Sequence, residues 1–219
     1  MQTIQVNTGQ AAISAASVAV SAGEVICLPT DTVYGIGANP FDAEAVTRLL
    51  TAKSRTRAMP PPVLVANYEQ ARSLSCELGL IAKELMAKYW PGALTIIVAA
   101  NPEIGWDLGE TNGTVALRMP DQDFTLELLA QIGPLAVTSA NKTGLPPAQE
   151  ISEAQEQLGA KVSLYLDAGR SSGGVPSSIV KLSGAKQNEF EIIRTGAIET
   201  EELTEFMENF GGFPACKER

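Results

Sequence analysis

Five cations in this chain stand where they could hold an anion. Lys53, Arg55 and Arg57 place three positive charges within five residues, and a run of three prolines follows them closely. Arg118 lies inside an otherwise apolar predicted strand, and Arg194 ends another. A cation inside an apolar strand is either paired in the core or bound to an anion. Cations at a helix C-terminus also interact favourably with the helix dipole and solvent, so the first three residues alone leave both interpretations open.

A polar loop follows the buried strand predicted at 24–28. The stretch 28–37 reads L-P-T-D-T-V-Y-G-I-G, and its Thr30, Asp31 and Thr32 supply two hydroxyls and a carboxylate. Open α/β sheets place their ligands at such loops, beyond the carboxyl ends of the strands. We expect its two glycines to let the backbone turn tightly before the next helix. A plain strand-to-helix turn would have the same composition, because these residue types favour turns.

Neutral hydrogen-bonding side chains follow other predicted strands. Ser139 and Asn141 come directly after one strand, and Ser177 stands at the start of another. Together with the cations, these groups predict a deep basic cleft that binds phosphate or carboxylate within an acidic protein.

Composition excludes several kinds of chemistry. The 219 residues carry a net charge of −9 and include no histidine, which removes histidine acid–base catalysis, Ser-His-Asp and Cys-His sites, and histidine-ligated metals. The acidic balance argues against a protein that coats nucleic acid or membrane by bulk charge, although it allows a local basic cleft. Three separated cysteines, without C-x-x-C spacing, indicate free thiols rather than a disulfide framework or a zinc site. With no secretory leader and no membrane-spanning run, we predict a cytoplasmic protein.

Two familiar motifs can be rejected. The string G-R-S-S-G at 169–173 matches G-x-S-x-G, but that hydrolase motif requires a histidine and a following helix, and a strand is predicted at 177–182. A Walker A string is absent, and Pro40 stands where the third glycine of G-x-G-x-x-G would fall.

Strands and helices alternate along the chain without a linker or repeat, which predicts a single α/β domain with a mixed sheet. The predicted strands are 3–6, 24–28, 63–66, 93–99, 114–119, 134–138, 162–167, 177–182 and 189–194. Helices are predicted over 78–90 and 124–132, and four more begin at the caps Thr8, Asp42, Ser152 and Thr200. The tail from 211 is expected to fray.

Taken in order, these segments resemble the YrdC family, the L-threonylcarbamoyladenylate synthases. The matching strings are P-T-D-T-V-Y-G at 29–35, K-x-R at 53–55, W-P-G-A-L-T at 90–95, V-A-L-R-M-P at 115–120, S-A-N at 139–141, the segment 173–180 and R-T-G at 194–196. They cover about residues 10–200 in the family's order, which is more specific than any single motif. The resemblance implies a single-domain, YrdC-like twisted mixed sheet flanked by helices. The catalytic domain would cover 5–200, with a C-terminal helix and tail at 201–219.

The resemblance also implies a nucleotidyltransferase reaction. L-threonine and bicarbonate combine as a carbamate, which attacks the α-phosphate of ATP and releases pyrophosphate. Mg²⁺ would arrive with ATP, held mainly by phosphates and water, and the chain itself would ligate no metal. A partner tRNA-modifying threonylcarbamoyl transferase would then pass the group to the adenosine beside the anticodon of certain tRNAs. Weak direct contact with tRNA is a further expectation, and no membrane contact is expected.

Residue roles follow from the resemblance one at a time. The catalytic pair would be Lys53 and Arg55, which bind phosphate and the negative charge that develops on it. The threonine-binding set would be Thr32, Arg118 and Ser177, with Arg118 on the carboxylate. Thr30 would support this set, although which of Thr30 and Thr32 touches threonine stays open. The ATP-binding set would be Lys53, Arg55, Thr114, Ser139, Asn141 and Arg194.

The chain departs from the family pattern at two places. Thr56 stands where many members have proline, and Leu64 stands where they have a histidine. A histidine contact to threonine would therefore be lost, or replaced by Arg57 or by backbone. The chain also ends soon after its last predicted helix, so we expect any lid to come from this domain rather than from the additional C-terminal domain of longer members.

Two other functions compete with this interpretation. A non-catalytic module that binds tRNA or double-stranded RNA would suit a basic cleft, but not the net charge of −9. A related enzyme could use the same fold for another carbamoylation or for a sugar-phosphate reaction. The K-x-R and S-A-N strings argue against that second alternative.

Overall fold

A computed structural model of the chain describes residues 2–171, 173–184 and 186–215. Ser172 of the rejected G-x-S-x-G string, Cys216 and the end of the predicted C-terminal tail lie outside these ranges. Within them, the seven α-helices are α1 Gln10–Ser21, α2 Ala43–Ala52, α3 Tyr68–Leu74, α4 Leu80–Tyr89, α5 Asp123–Ile132, α6 Ile151–Leu158 and α7 Thr200–Asn209.

The strands of the described residues form one mixed sheet, in the order β1-β8-β2-β3-β7-β4-β6-β5-β9-β10-β11. They are β1 Gln2–Gln5, β2 Ile26–Leu28, β3 Gly35–Ala38, β4 Val63–Leu64, β5 Leu94–Ala99, β6 Thr114–Arg118, β7 Leu135–Ser139, β8 Leu164–Asp167, β9 Ser178–Ser183, β10 Glu189–Arg194 and β11 Phe213–Pro214. Five strand pairs are parallel and five are antiparallel. The predicted mixed α/β fold is therefore confirmed.

Helices cover both faces of the sheet. On β2, Cys27 joins one buried cluster while its neighbours Ile26 and Leu28 join another, as the alternation of side chains along a strand requires. Helices α1 and α5 pack on one face, and α2, α3, α4, α6 and α7 pack on the other. Each face is thus apolar, and polar groups collect in the loops between elements.

The turn expected at Gly35 and Gly37 is wrong, because these residues belong to the fully buried strand β3. A side chain at either position would collide with Val137 on the adjacent strand β7. An added Cβ would lie 2.7 Å from Val137 Cγ1 at Gly35 and 3.1 Å from Val137 Cγ2 at Gly37. The glycines therefore serve close strand packing rather than a turn. Strand β3 carries the loop 29–34 to a position beside Ser139 at the end of β7.

Among the four predicted caps, only Asp42 acts as one, accepting hydrogen bonds from the backbone nitrogens of Glu44 and Ala45 at 2.9 and 3.0 Å. Helices α1, α6 and α7 instead follow Gly9, Glu150 and Glu199, none of which provides a side-chain cap. The predictions at Thr8, Ser152 and Thr200 are therefore wrong. The hydroxyl of Thr8 donates to the backbone oxygen of Gln5, while Ser152 and Thr200 already lie inside their helices.

Besides β3, two other short elements were not predicted from sequence. Helix α3 begins after Asn67, whose side chain accepts from the backbone nitrogen of Gln70 at 2.9 Å. Strand β11, in the tail expected to fray, pairs with β10. No helix in the described ranges is both long and apolar enough to cross a bilayer.

Candidate active site

A cavity of about 300 Å³ gathers much of the predicted ATP-binding set. Arg55, Thr114, Ser139 and Arg194 line it. The rest of the lining is largely apolar and includes three prolines, three isoleucines and Leu108. Such a mixture of apolar wall and few polar groups is typical of sites for small organic ligands. The other two predicted members of the set, Lys53 and Asn141, do not line the cavity. Lys53 contacts the lining residue Ser139, and Asn141 contacts Lys53.

Lys53 is fully buried at the C-terminal end of helix α2. Its Nζ donates to the backbone oxygen of Ser139 at 2.5 Å, to Oγ of Ser139 at 3.2 Å and to Oδ1 of Asn141 at 2.6 Å. All three ammonium protons are thereby used within the protein. Lys53 thus holds in place the loop that follows β7, and Asn141 extends this hold by donating to the backbone of Leu145 at 2.6 Å.

Burial and the neighbouring charge of Arg55 lower the pKa of Lys53 to about 7. A buried ammonium loses the solvation that water would provide, and a second cation close by opposes it further. The three oxygen acceptors act in the opposite sense, and an anionic ligand would do the same. Lys53 is therefore a titratable group near neutral pH in a chain without histidine.

Arg55 reaches the cavity from the loop after α2. Its Nη1 donates to Oγ1 of Thr138 at 2.9 Å, and its Nε is buried without a hydrogen-bond partner in the described part of the chain. A buried donor of this kind is costly unless a ligand or water accepts from it. Burial also lowers the pKa of Arg55, as expected of a guanidinium with no carboxylate beside it.

The ion pairs of the described residues leave Lys53, Arg55 and Arg194 without a carboxylate partner. Burial lowers the pKa of Arg194, and the charges of Arg118 and Arg55 lower it further. Four cations therefore lie near one another, and among the described residues only Arg118 has a counter-ion there. A bound anion would relieve this repulsion.

Arg118 is a buried cation, 7% exposed, at the end of β6. Its Nη1 donates to Oγ1 of Thr32 at 3.0 Å, its Nη2 to Oδ1 of Asp31 at 2.6 Å and its Nε to the backbone oxygen of Gly92 at 3.0 Å. Behind Thr32, the hydroxyl of Thr30 lies 3.0 Å from that of Thr32. Arg118 and Thr32, both predicted to bind threonine, are thus in direct contact.

Ser177, the third residue predicted to bind threonine, contacts a different cation. Arg194 donates to the backbone oxygen of Ser177 from Nε at 3.0 Å and from Nη2 at 2.7 Å, and Nη2 also lies 3.1 Å from Oγ of Ser177. The same Oγ lies 2.9 Å from Oγ1 of Thr95. Within the described residues, hydrogen bonds connect Ser177 to the predicted nucleotide set rather than to Thr32 or Arg118.

Sequence reasoning assigned no role to three residues that the structure places at the site. Asp31 pairs with Arg118, Thr138 holds Arg55, and Thr95 contacts Ser177. Asp31 and Thr95 lie within the strings that carry the family resemblance, so their position in the sequence could have identified them as candidate site residues. Thr138 lies in a buried strand, and nothing in the sequence distinguished it as a site residue.

The two departures from the family pattern have structural consequences. Leu64 is buried and packs in the cluster beneath α1 and α5, so it presents no polar group. Arg57, suggested as a replacement for the missing histidine, forms an exposed ion pair with Asp107. That contact turns Arg57 toward the loop over the cavity, whose Glu110 nitrogen donates to the Arg57 backbone oxygen at 2.8 Å.

Comparison with known families decides the relationship. A family model for Sua5, YciO and YrdC, described as "Telomere recombination", matches residues 18–196. The chain belongs to the Sua5/YciO/YrdC family. This membership confirms the resemblance drawn from the sequence strings.

Two relatives are named as threonylcarbamoyl-AMP synthases, and a third is a solved Sua5 structure. A Mycobacterium tuberculosis protein named "Putative threonylcarbamoyl-AMP synthase" is 45% identical over 189 residues, which cover 86% of each chain. The Bacillus subtilis threonylcarbamoyl-AMP synthase is 34% identical over 81% of this chain, which spans about half (52%) of that longer protein. The crystal structure of Pyrococcus abyssi Sua5 complexed with L-threonine superposes with a TM-score of 0.85 at 29% identity, over 94% of this chain and 60% of that one.

Proposed function

We propose that this chain is a threonylcarbamoyl-AMP synthase that uses L-threonine, bicarbonate and MgATP. The observation that carries the proposal is the charge arrangement in the described residues. Lys53, Arg55 and Arg194 lack carboxylate partners around one cavity, beside the buried contact between Arg118 and Thr32. The names of the family relatives and the threonine-bound Sua5 structure support the same activity.

The reaction joins three anionic or zwitterionic reactants. The deprotonated amine of threonine forms a nitrogen–carbon bond with bicarbonate, and water leaves. An oxygen of the resulting carbamate attacks the α-phosphorus of ATP, and the bond from that phosphorus to pyrophosphate breaks. Fixed cations and close positioning can supply much of the rate, so the chemistry needs no histidine base.

The site residues divide this work by position. Arg118 and Thr32 would receive the threonine carboxylate and hydroxyl region, while Arg55 and Arg194 would contact phosphate oxygens in the cavity. Lys53 would act through its hold on Ser139 and Asn141, and through its positive charge. No aspartate or glutamate of the described residues lines the cavity, so Mg²⁺ would remain with the ATP phosphates and water.

The later steps belong to other molecules. The adenylate would pass to a tRNA-modifying threonylcarbamoyl transferase, with at most weak tRNA contact by this chain, and the cytoplasmic location stays a prediction. The non-catalytic RNA-binding alternative is not favoured, because the relatives are named as synthases and the chain has a net charge of −9.

An omission assay tests the proposal. Purified protein is given MgATP, threonine and bicarbonate, and pyrophosphate is measured with each reactant left out in turn. We expect release only when all three are present, and a lower rate when serine replaces threonine. Release that ignores threonine, or salt-sensitive RNA binding without any release, would overturn the proposal.

A further inference from the structure

Thr95 is a buried hydroxyl next to the nucleotide cavity. It lies on β5, is 1% exposed, and its Oγ1 lies 2.9 Å from Oγ of Ser177. Both Thr95 and Arg194 are paired in the sheet with Ile179 of β9, one from each side. One strand, β9, therefore separates Thr95 from Arg194, which lines the cavity.

The connection from Thr95 to Arg194 runs through Ser177. The Ser177 hydroxyl lies between Oγ1 of Thr95 and Nη2 of Arg194, at 2.9 and 3.1 Å. A hydroxyl can accept one hydrogen bond while it donates another, so both contacts can exist together. Thr95 is thus a hydrogen-bond partner of the same Ser177 hydroxyl that accepts from Arg194.

The backbone around Arg194 is fixed separately. Oγ of Ser178 accepts from the backbone nitrogens of Gly196 at 2.9 Å and Ile198 at 3.0 Å. A Cβ at Gly196 would collide with the backbone oxygen of Pro176. The segment after Arg194 thus lies directly on the segment before β9, and the main freedom left is in the Arg194 side chain.

Exposure and charge repulsion favour movement of the Arg194 side chain away from the cavity. Arg194 stands at the exposed end of β10, and the charges of Arg55 and Arg118 repel it. Unless local hydrogen bonds hold it at the cavity, the guanidinium would extend into water, which solvates its charge well. The contacts to Ser177 provide that restraint before any anion is bound.

We infer that Thr95 is a positioning residue for the nucleotide, acting through Ser177 to hold Arg194 toward the phosphates of ATP. This inference rests on the proposed function and adds a residue to which no role has been given. It concerns one hydroxyl group, so an isosteric change can isolate it.

Thr95→Val tests the inference, because it removes the hydroxyl and keeps the shape and the β-branched preference for a strand. Loss of one such hydrogen bond predicts an increase in the KM for ATP of about threefold to tenfold, with the KM for threonine changed less than about twofold. Thr95→Ser, which keeps the hydroxyl, is expected to restore the wild-type ATP value. Ser75→Ala removes another buried hydroxyl, on the chain segment before α4, and is the matched control.

Two further measurements keep the inference falsifiable. In the Ser177→Ala background, Thr95→Val should have little additional effect on the KM for ATP, since the connection is already broken. Calorimetric titration with MgATP alone should show the same weakening, so the inference can be judged even if the protein makes no product. An unchanged ATP affinity in Thr95→Val, equal rises in both KM values, or additive effects with Ser177→Ala would overturn it. If Thr95→Val does not fold, Thr95→Ser and Ser177→Ala compared by the same titration decide the matter: full affinity in Ser177→Ala would contradict it.

Discussion

Lys53 donates from Nζ to Oδ1 of Asn141 over 2.6 Å, although the two residues are 88 positions apart in the chain. This buried contact joins the end of α2 to the loop after β7. Lys53 therefore holds the loop after β7 in place and also supplies a positive charge to the site.

Removing the Lys53 ammonium should lower the catalytic efficiency of the reaction. Lys53→Met keeps an unbranched side chain but leaves the acceptors on Ser139 and Asn141 without their donor. Loss of charge-assisted hydrogen bonds of about 1.5–3 kcal/mol predicts a fall in kcat/KM for ATP of roughly 10- to 150-fold. Pyrophosphate release measures it. Lys142→Met, at an exposed lysine of the same loop, is the control and should keep the wild-type rate; equal loss in both variants would contradict the role of Lys53.

The pH profile should report the titration of Lys53. Its pKa is lowered in the folded protein to about 7 from 10.5, so the ammonium is lost as pH rises through that value. If the charged form is required, kcat/KM for ATP should fall above about pH 7, and the fall in kcat should lie at higher pH because bound phosphate favours the ammonium. Lys53→Arg, which does not titrate in this range, should flatten the profile. A wild-type profile identical to that of the arginine variant would refute the assignment.

The same lowered pKa has a consequence for stability. Between about pH 7 and 10.5 the unfolded chain binds more protons at Lys53 than the folded chain does. The free energy of unfolding should therefore gain a positive contribution from Lys53 as pH rises through this window. Urea unfolding of wild type and Lys53→Met at several pH values isolates that contribution. If the free energy of unfolding of wild type falls relative to that of Lys53→Met over this pH window, the prediction is wrong.

Arg118→Ala should mainly weaken the use of threonine. The arginine is buried against Thr32 and Asp31, and its loss removes a charge-assisted contact of about 1.5–3 kcal/mol. The KM for threonine should rise roughly 10- to 150-fold, with a smaller change in the KM for ATP. Steady-state kinetics with each substrate varied separately makes the comparison. Arg72→Ala, at an exposed arginine paired with Glu69, is the control, and an unchanged threonine response in Arg118→Ala would rule out this assignment.

Gly35→Ala should destabilise the fold through a contact with one residue. The added methyl would lie 2.7 Å from Cγ1 of Val137, and such overpacking costs about 1–3 kcal/mol. Val137→Ala removes the obstructing group, so the double variant should recover part of the loss that Gly35→Ala causes alone. Chemical denaturation of the single and double variants measures this. Strictly additive losses would show that the clash with Val137 is not the cause.

Regular elements could be predicted from the sequence because their signals are local. The apolar runs of β5 and β6 and the cap at Asp42 depend on residues within a few positions of one another. Strand β3 could not be recognised in this way. Its glycines are explained by Val137, a hundred residues away, and without that neighbour two glycines indicate a turn.

The candidate site also combines features that local sequence predicts with features that depend on distant residues. The residue types and strings indicated which loops carry the cationic and hydroxyl groups of the candidate site, and four of the six predicted ATP-binding residues line one cavity. The partner of each group could not be predicted, because partners are set by how distant strands pair. The contact between Ser177 and Arg194 was not predicted, while the threonine-binding role of Ser177 stays a prediction, and Asp31 received no role although it pairs with Arg118.

Direct detection of the product tests the central claim most closely. The protein is incubated with MgATP, L-threonine and ¹³C-bicarbonate, and the mixture is analysed at once by mass spectrometry. We predict threonylcarbamoyl-AMP carrying a single ¹³C in its carbamoyl group, formed together with pyrophosphate and much reduced in Lys53→Met. The absence of this labelled adenylate from an incubation with folded wild-type protein would contradict the proposed function.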